Sequence, residues 1–268
     1  MNSATVATQP NEVELAGVTE MPRGRLWRAY AVEAKYESLR MLRTPAFAGP
    51  FLLLPVGLYL LFAVLLFGAE IAKDPKGGLF SFMGFSMLGV MGPGMFGFGI
   101  TVALEREQGL LKLKRALPAP PAASLLAKML MSMLFVAIVM ATMIAVAPLG
   151  HLRLSAGQLA SVSAVSIAGA MPFCAMGFLI GSLSSGKAAP AFVNLLYLPM
   201  IYLSGFLFPL PKSMHWIALI SPAYHLDQVA LKAIGAPSEG LLAIHLLVLA
   251  SVTLVFTALA VRRLARVG

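Results

Sequence analysis

Cysteine is all but missing. The chain holds a single one, Cys174, in an apolar run. An internal disulfide is thereby excluded, and no Cys/His grouping has the spacing of a zinc site. Charge is scarce too, at 12% of 268 residues, about half its share in a soluble domain. It is scarcest inside the long apolar runs, none of which holds an Asp, Lys or Arg at its centre. Ion-coupled transporters keep relay groups at that depth, so their absence weakens that class. Glu70 sits at a run's end and His245 near a run's start. Paired acids or a nucleophile with its base at one depth are also lacking, which disfavours a membrane enzyme. The first 45 residues show no short apolar core before a small-residue cleavage site, so no cleavable signal peptide is expected.

What is present is hydrophobic: 59% of residues, with a mean hydropathy of +0.86. Six runs approach the roughly 20 apolar residues that cross a bilayer: Phe51–Ala69, Leu79–Leu104, Leu125–Leu149, Leu159–Leu183, Pro190–Leu210 and Leu241–Val261. Pro93 and Pro172 fall inside the second and fourth, which a helix bundle tolerates. The reading is an all-α polytopic membrane protein with six transmembrane helices.

Lys and Arg distribute unevenly about these runs. One set of segments carries fifteen: Arg23, Arg25, Arg28, Lys35, Arg40, Arg43, Arg106, Lys112, Lys114, Arg115, Lys128, Lys187, Arg262, Arg263 and Arg266. The other carries five: Lys73, Lys76, Arg153, Lys212 and Lys232. The positive-inside rule then puts both termini in the cytoplasm of a cell (inner) membrane. It also accounts for the net charge of +9 without nucleic acid as a partner.

Residues 1–22 are polar and read as a disordered tail. Residues 23–45 read as an amphipathic interfacial helix, with Trp27, Tyr30, Ala34 and Met41 roughly on one side and basic residues for lipid headgroups. Thr44-Pro45 is expected to end it. Residues 46–262 form the six-span domain, and 263–268 a basic tail.

Gly181–Ala189, "GSLSSGKAA", matches G-x-x-x-x-G-K but has Ala188 where a P-loop needs a hydroxyl for magnesium. A membrane run precedes it in place of a strand, so it reads as a short turn, and any ATPase must be another polypeptide. Met83, Met87, Met91 and Met95 wind along one side of the second run. Methionine serves adaptable apolar surfaces and also fills irregular core gaps, the commoner role. Glycines stud the same run, and Gly177 and Gly181 form a G-x-x-x-G in the fourth, which reads as a tight bundle. Between the fifth and sixth runs, Met214–Ile220 and Ala223–Ile234 are too short to span. They read as two re-entrant or interfacial helices, with His225 and Asp227 either meeting substrate or marking a wet edge.

Two patches carry a family likeness. One is Glu105-Arg106-Glu107, then Gly109, Pro118 and Lys128. The other is Ser204-Gly205, Pro209, Pro211, Trp216 and Ser221-Pro222-Ala223-Tyr224. On a six-span frame they resemble the membrane subunit of an ABC-2 type transporter, over roughly Arg23 to the C-terminus. The resemblance implies a permease without catalysis, cofactor or metal of its own. It implies an assembly of two permease copies, a homodimer in the simplest case, on two ABC ATPase subunits that bind ATP and magnesium. It also implies a coupling helix after the second span. Leu110, Leu113 and Leu117 share one face there, and Pro118, Pro120 and Pro121 would stop the helix. Lys112, Lys114 and Arg115 depart from the family's usual residues and suggest a more acidic partner surface. The candidate substrate path lies between two copies, beside Met83, Met87, Met91, Met95, Asn194, Tyr197 and Tyr202. The expected function is export of a hydrophobic or amphipathic compound. The rivals are a ligand-sensing membrane protein of the same fold and an ion-coupled transporter.

Overall fold

The computed structural model describes residues 23–74, 76–116, 121–204, 213 and 215–267, and the regular elements among them are helical. Five helices are long and apolar enough to cross a bilayer: Pro45–Leu66, Gly77–Glu107, Ala122–Gly150, Ala156–Leu183 and Leu242–Arg266. They correspond to the first, second, third, fourth and sixth of the six expected spans. The fifth apolar helix, Ala189–Leu203, has 15 residues. At 1.5 Å per residue that is about 22 Å, less than the roughly 30 Å hydrocarbon core. The rest of the run expected to reach Leu210 lies outside the described residues.

The leading helix, Arg23–Leu42, stops before Thr44-Pro45 rather than at it. Thr44 is extended, with φ −99° and ψ 97°, as the residue before a proline prefers. Pro45 then opens the first span, where a missing N–H costs nothing. The span therefore begins six residues ahead of the Phe51 that hydropathy picks out.

The second span is the central helix, buried along most of its length, whereas the first and sixth are buried along little of theirs. It runs through Pro93 by widening into a π segment, Pro93–Phe98, a local adjustment that accommodates the absent N–H. Ser132 of the third span donates to the Pro93 carbonyl at 3.3 Å. Glycines bring the second and fourth spans together. A Cβ at Gly99 would lie 2.9 Å from the Gly177 carbonyl oxygen, and one at Gly177 would lie 2.6 Å from that of Gly94. The G-x-x-x-G of the fourth span is thus occupied within the chain. Met83, Met87, Met91 and Met95 are buried in the main apolar core with Tyr59, Phe82 and Phe173.

A capping box formed by Ser155 and Gln158 starts the fourth span. The leading helix lies against the third span, and the sixth span packs on the fourth. The second span's 31 residues cover about 46 Å, so its two ends stand beyond a bilayer core. Polar clusters occur at both ends.

Candidate functional site

At one end of the second span, Glu105, Arg106 and Glu107 follow one another around the helix. Successive residues point about 100° apart, and these three reach different neighbours. Glu105, 1% exposed, turns toward the leading helix and the third span. Its Oε1 accepts from Lys128 Nζ at 2.9 Å and from Arg40 at 3.3 Å. Lys128 is equally buried, and donates also to Glu37 Oε1 at 2.5 Å. Lys114 lies 3.6 Å from Glu105 Oε2, and donates to Glu33 at 3.1 Å and Ser124 at 2.9 Å. Three carboxylates thus face three cations across four chain segments. Buried charges are tolerated only when paired this closely.

Arg106 turns the other way. It donates to the carbonyls of Ser182 and, at 2.7 Å, Ser184. These belong to the last turn of the fourth span, where helical carbonyls lack intrahelical partners. Glu107 lies beside Gly186, where a Cβ would come 2.7 Å from its Oε2. Gly181, first glycine of the apparent P-loop, is a helix residue in the fourth span.

Gly109 takes φ +71°, a conformation open to glycine, and redirects the chain into a loop helix, Leu110–Ala116. Leu111 packs against a core cluster of Phe98, Val102 and Phe178. Leu110 is half-buried, while Leu113 is 61% exposed. Leu117 and Pro118 of the predicted coupling face lie outside the described residues.

The signal that sequence reading missed is on the leading helix. Its inward line is Leu26, Ala29, Tyr30, Glu33, Ala34, Glu37, Ser38 and Met41, the three-and-four spacing of a packed face. Trp27, assigned to that side from sequence, is 72% exposed. Glu33 and Glu37, four apart on the inward line, were the available clue to partners for Lys114 and Lys128.

The opposite end centres on a helix from Pro222 to Ala233. His225 and His245 face each other, Nδ1 to Nδ1, at 2.7 Å. Their Nε2 atoms contact the carbonyl oxygens of Leu219 and Glu239, each at 2.8 Å. Carbonyls only accept, so each Nε2 is the donor in its contact. Burial pushes His225 below the usual imidazole range. Tyr224 donates to Glu239 Oε2 at 2.9 Å, and Gln228 accepts from the Glu239 amide at 2.6 Å. Asp227 Oδ2 accepts from Gln228 at 3.2 Å, and burial raises its carboxyl well above the usual range. Its Oδ1 is buried with no hydrogen-bond partner among the described residues.

Of the residues predicted here, Pro222 opens the helix, Ser204 is buried, and Trp216 is 66% exposed on the short helix His215–Ala218. Gly205, Pro209 and Pro211 lie outside the described residues. On Ala189–Leu203, Tyr197 donates to the Leu88 carbonyl at 3.1 Å, while Asn194 and Tyr202 are exposed. The four methionines are enclosed in the core of the single chain, and Asn194 and Tyr202 do not join them. Among the described residues no group of three or more His, Cys, Asp or Glu could hold a metal ion.

Comparison with known proteins supplies the family. The model of the ABC-2 type transporter family matches residues 29–234. "Putative transport permease YvfS" of Bacillus subtilis (strain 168) is 26% identical over 208 residues, covering 75% of this chain and 84% of that protein.

Proposed function

The chain belongs to the ABC-2 type transporter family, which makes it a multi-pass, non-catalytic membrane permease, and we propose that it exports a hydrophobic or amphipathic compound using a separate ABC ATPase docked on the loop helix Leu110–Ala116. ABC-2 permeases pair with ABC ATPase subunits and generally bind no cofactor themselves. In this reading two copies of the chain sit on two ATPases, and ATP and magnesium belong to the ATPases.

One observation carries the docking assignment: Leu113 is 61% exposed on a helix tied to its surroundings. Lys114 links that helix to Glu33 of the leading helix and Ser124 of the third span. Glu105 and Arg106, just before it, join the leading helix, third span and fourth span. A push on the loop helix would therefore reach several spans as one body, the rigid lever that domain rearrangement needs. Glu105 and Arg106 contribute as the brace behind the docking face. Excess Lys and Arg on the segments at this end supports a cytoplasmic placement for it and for both termini.

The second copy is supported by Ala189–Leu203. This helix exposes Phe192, Leu195, Leu198 and Tyr202 with Asn194 among them. Hydrocarbon offers an exposed amide no hydrogen bond, whereas a facing subunit or a polar path between subunits does.

Leu113→Asp tests the docking. An exposed substitution costs folding less than about 0.5 kcal/mol, so membrane insertion should be unchanged. Co-purification with the co-expressed ABC ATPase, and stimulation of its ATP turnover, should be lost. Normal pairing and turnover in the variant would refute the assignment.

A further inference from the structure

Asp227 is 6% exposed and lines two adjoining cavities. The first, of about 380 Å³, carries most of the polar groups: Ser204, Tyr224, Gln228, Ser238 and Glu239 line it with Asp227, beside Ala218 and Pro237. The second, of about 240 Å³, is mostly apolar: Leu79, Phe80, Met83, Leu231 and Pro237 line it. The larger volume lies within the range of small-molecule sites, and apolar walls with a few convergent polar groups are their usual make-up. Asp227 Oδ1 is a buried carboxyl oxygen without a hydrogen-bond partner among the described residues. Such an atom is costly to bury unless something satisfies it.

We propose that the paired cavities form a binding site for an amphipathic amine, its ammonium on Asp227 and Glu239 in the polar cavity and its apolar part against Leu79, Phe80 and Leu231. Two carboxyls, Asp227 and Glu239, line the cavity and favour a cationic group there. The hydroxyls of Ser204, Ser238 and Tyr224 provide further oxygen acceptors for ammonium protons. Asp227 stands at the junction, so one molecule reaches both environments only if its charge and its apolar part are adjacent.

The charged and titratable neighbours of Asp227 come from several elements. Tyr224 lies on the Asp227 helix, and Glu239 on the segment that follows it. His215, from the short helix His215–Ala218, lines the polar cavity, and Lys76, from the start of the second span, lines the apolar one. The His225–His245 pair commits its Nε2 protons to the carbonyls of Leu219 and Glu239. Without a ligand the buried Asp227 carboxyl favours its proton. An arriving ammonium favours the carboxylate, so the proton leaves Asp227 for solvent as the ligand binds. Binding then tightens with rising pH, up to tenfold per pH unit while Asp227 stays protonated in the free site.

This site deepens the export reading by naming a substrate class, yet its test needs no transport. The full-length chain, in non-ionic detergent micelles, is unfolded thermally with octylammonium or with octanol. Octylammonium should raise the midpoint and octanol should not. The shift should be larger at pH 8 than at pH 5. Asp227→Asn, nearly isosteric, should weaken the amine at least tenfold, and Glu239→Gln, at an exposed position, should weaken it severalfold. A parallel arm with phosphatidylethanolamine identifies the carrier: an Asp227-dependent shift with either amine meets the expectation. Equal shifts by octanol and octylammonium, or an unchanged amine shift in both variants, would overturn the site. Failure here leaves ATPase docking at the other end intact, so the two readings fall separately.

Discussion

Lys128→Met should release the leading helix. Lys128 Nζ lies 2.5 Å from Glu37 and 2.9 Å from Glu105, and all three residues are buried. Removing one member of a buried ion pair costs about 3–5 kcal/mol, because the remaining charge has neither water nor partner. Here the loss is moderated. Arg40 remains 3.3 Å from Glu105 and 3.8 Å from Glu37, and Lys114 remains 3.6 Å from Glu105. Both are more exposed than Lys128 and so screened by water. The lower bound of about 3 kcal/mol is therefore appropriate. If Arg23–Leu42 undocks as a unit, its backbone amides should exchange with solvent roughly a hundredfold faster, at 1.36 kcal/mol per tenfold. Hydrogen exchange on the purified chain reads this directly. Replacing the three buried members, as Glu37→Leu, Glu105→Leu and Lys128→Met together, removes the stranded carboxylates and should restore much of the protection. Unchanged exchange in Lys128→Met would show that apolar contacts alone hold the leading helix.

Burial holds the Asp227 carboxyl well above its usual range, so the folded chain keeps this proton to a higher pH than the unfolded one. Its contribution to stability is fully present below about pH 4, the ordinary carboxylate value, and is lost as pH rises through the elevated folded value. Asp227→Asn should flatten that fall and raise the unfolding midpoint at neutral pH; parallel pH profiles of variant and parent would refute the burial argument. For topology, single cysteines replacing Gln108, Ser185 and Glu239 should separate under an impermeant thiol reagent. The first two should label from the cytoplasmic side and the third from the opposite side; labelling of all three from one side would contradict the charge reading.

Five of the six expected spans were legible because apolar length is a local property. Their termini were less so. The start at Pro45 depends on proline's fitness for a first helical turn, a matter of backbone geometry that hydropathy ignores. The Glu105-Arg106-Glu107 cluster was conspicuous in the sequence, but its partners were not. Glu37, Lys128 and the Ser182 and Ser184 carbonyls are 68, 23 and some 76 to 78 residues away, and only tertiary packing brings them together. Lys128 stood out as a family position, yet at a span end it resembled a topology signal. Its burial required the acidic face of the leading helix, a face obscured by choosing Trp27 as the apolar marker. The glycines announced close packing without naming the fourth span as the neighbour. His225 and His245 are separated by a loop and gave no periodic signal at all.

The most direct test of the coupling account is a photo-cross-linking amino acid placed at Leu113 in the full-length chain, co-expressed with its ABC ATPase. Illumination should give a covalent adduct with the ATPase, while the same group at the exposed Leu53 of the first span should give none. An ATPase that co-purifies normally but cross-links from neither position would place docking away from the loop helix and contradict the account.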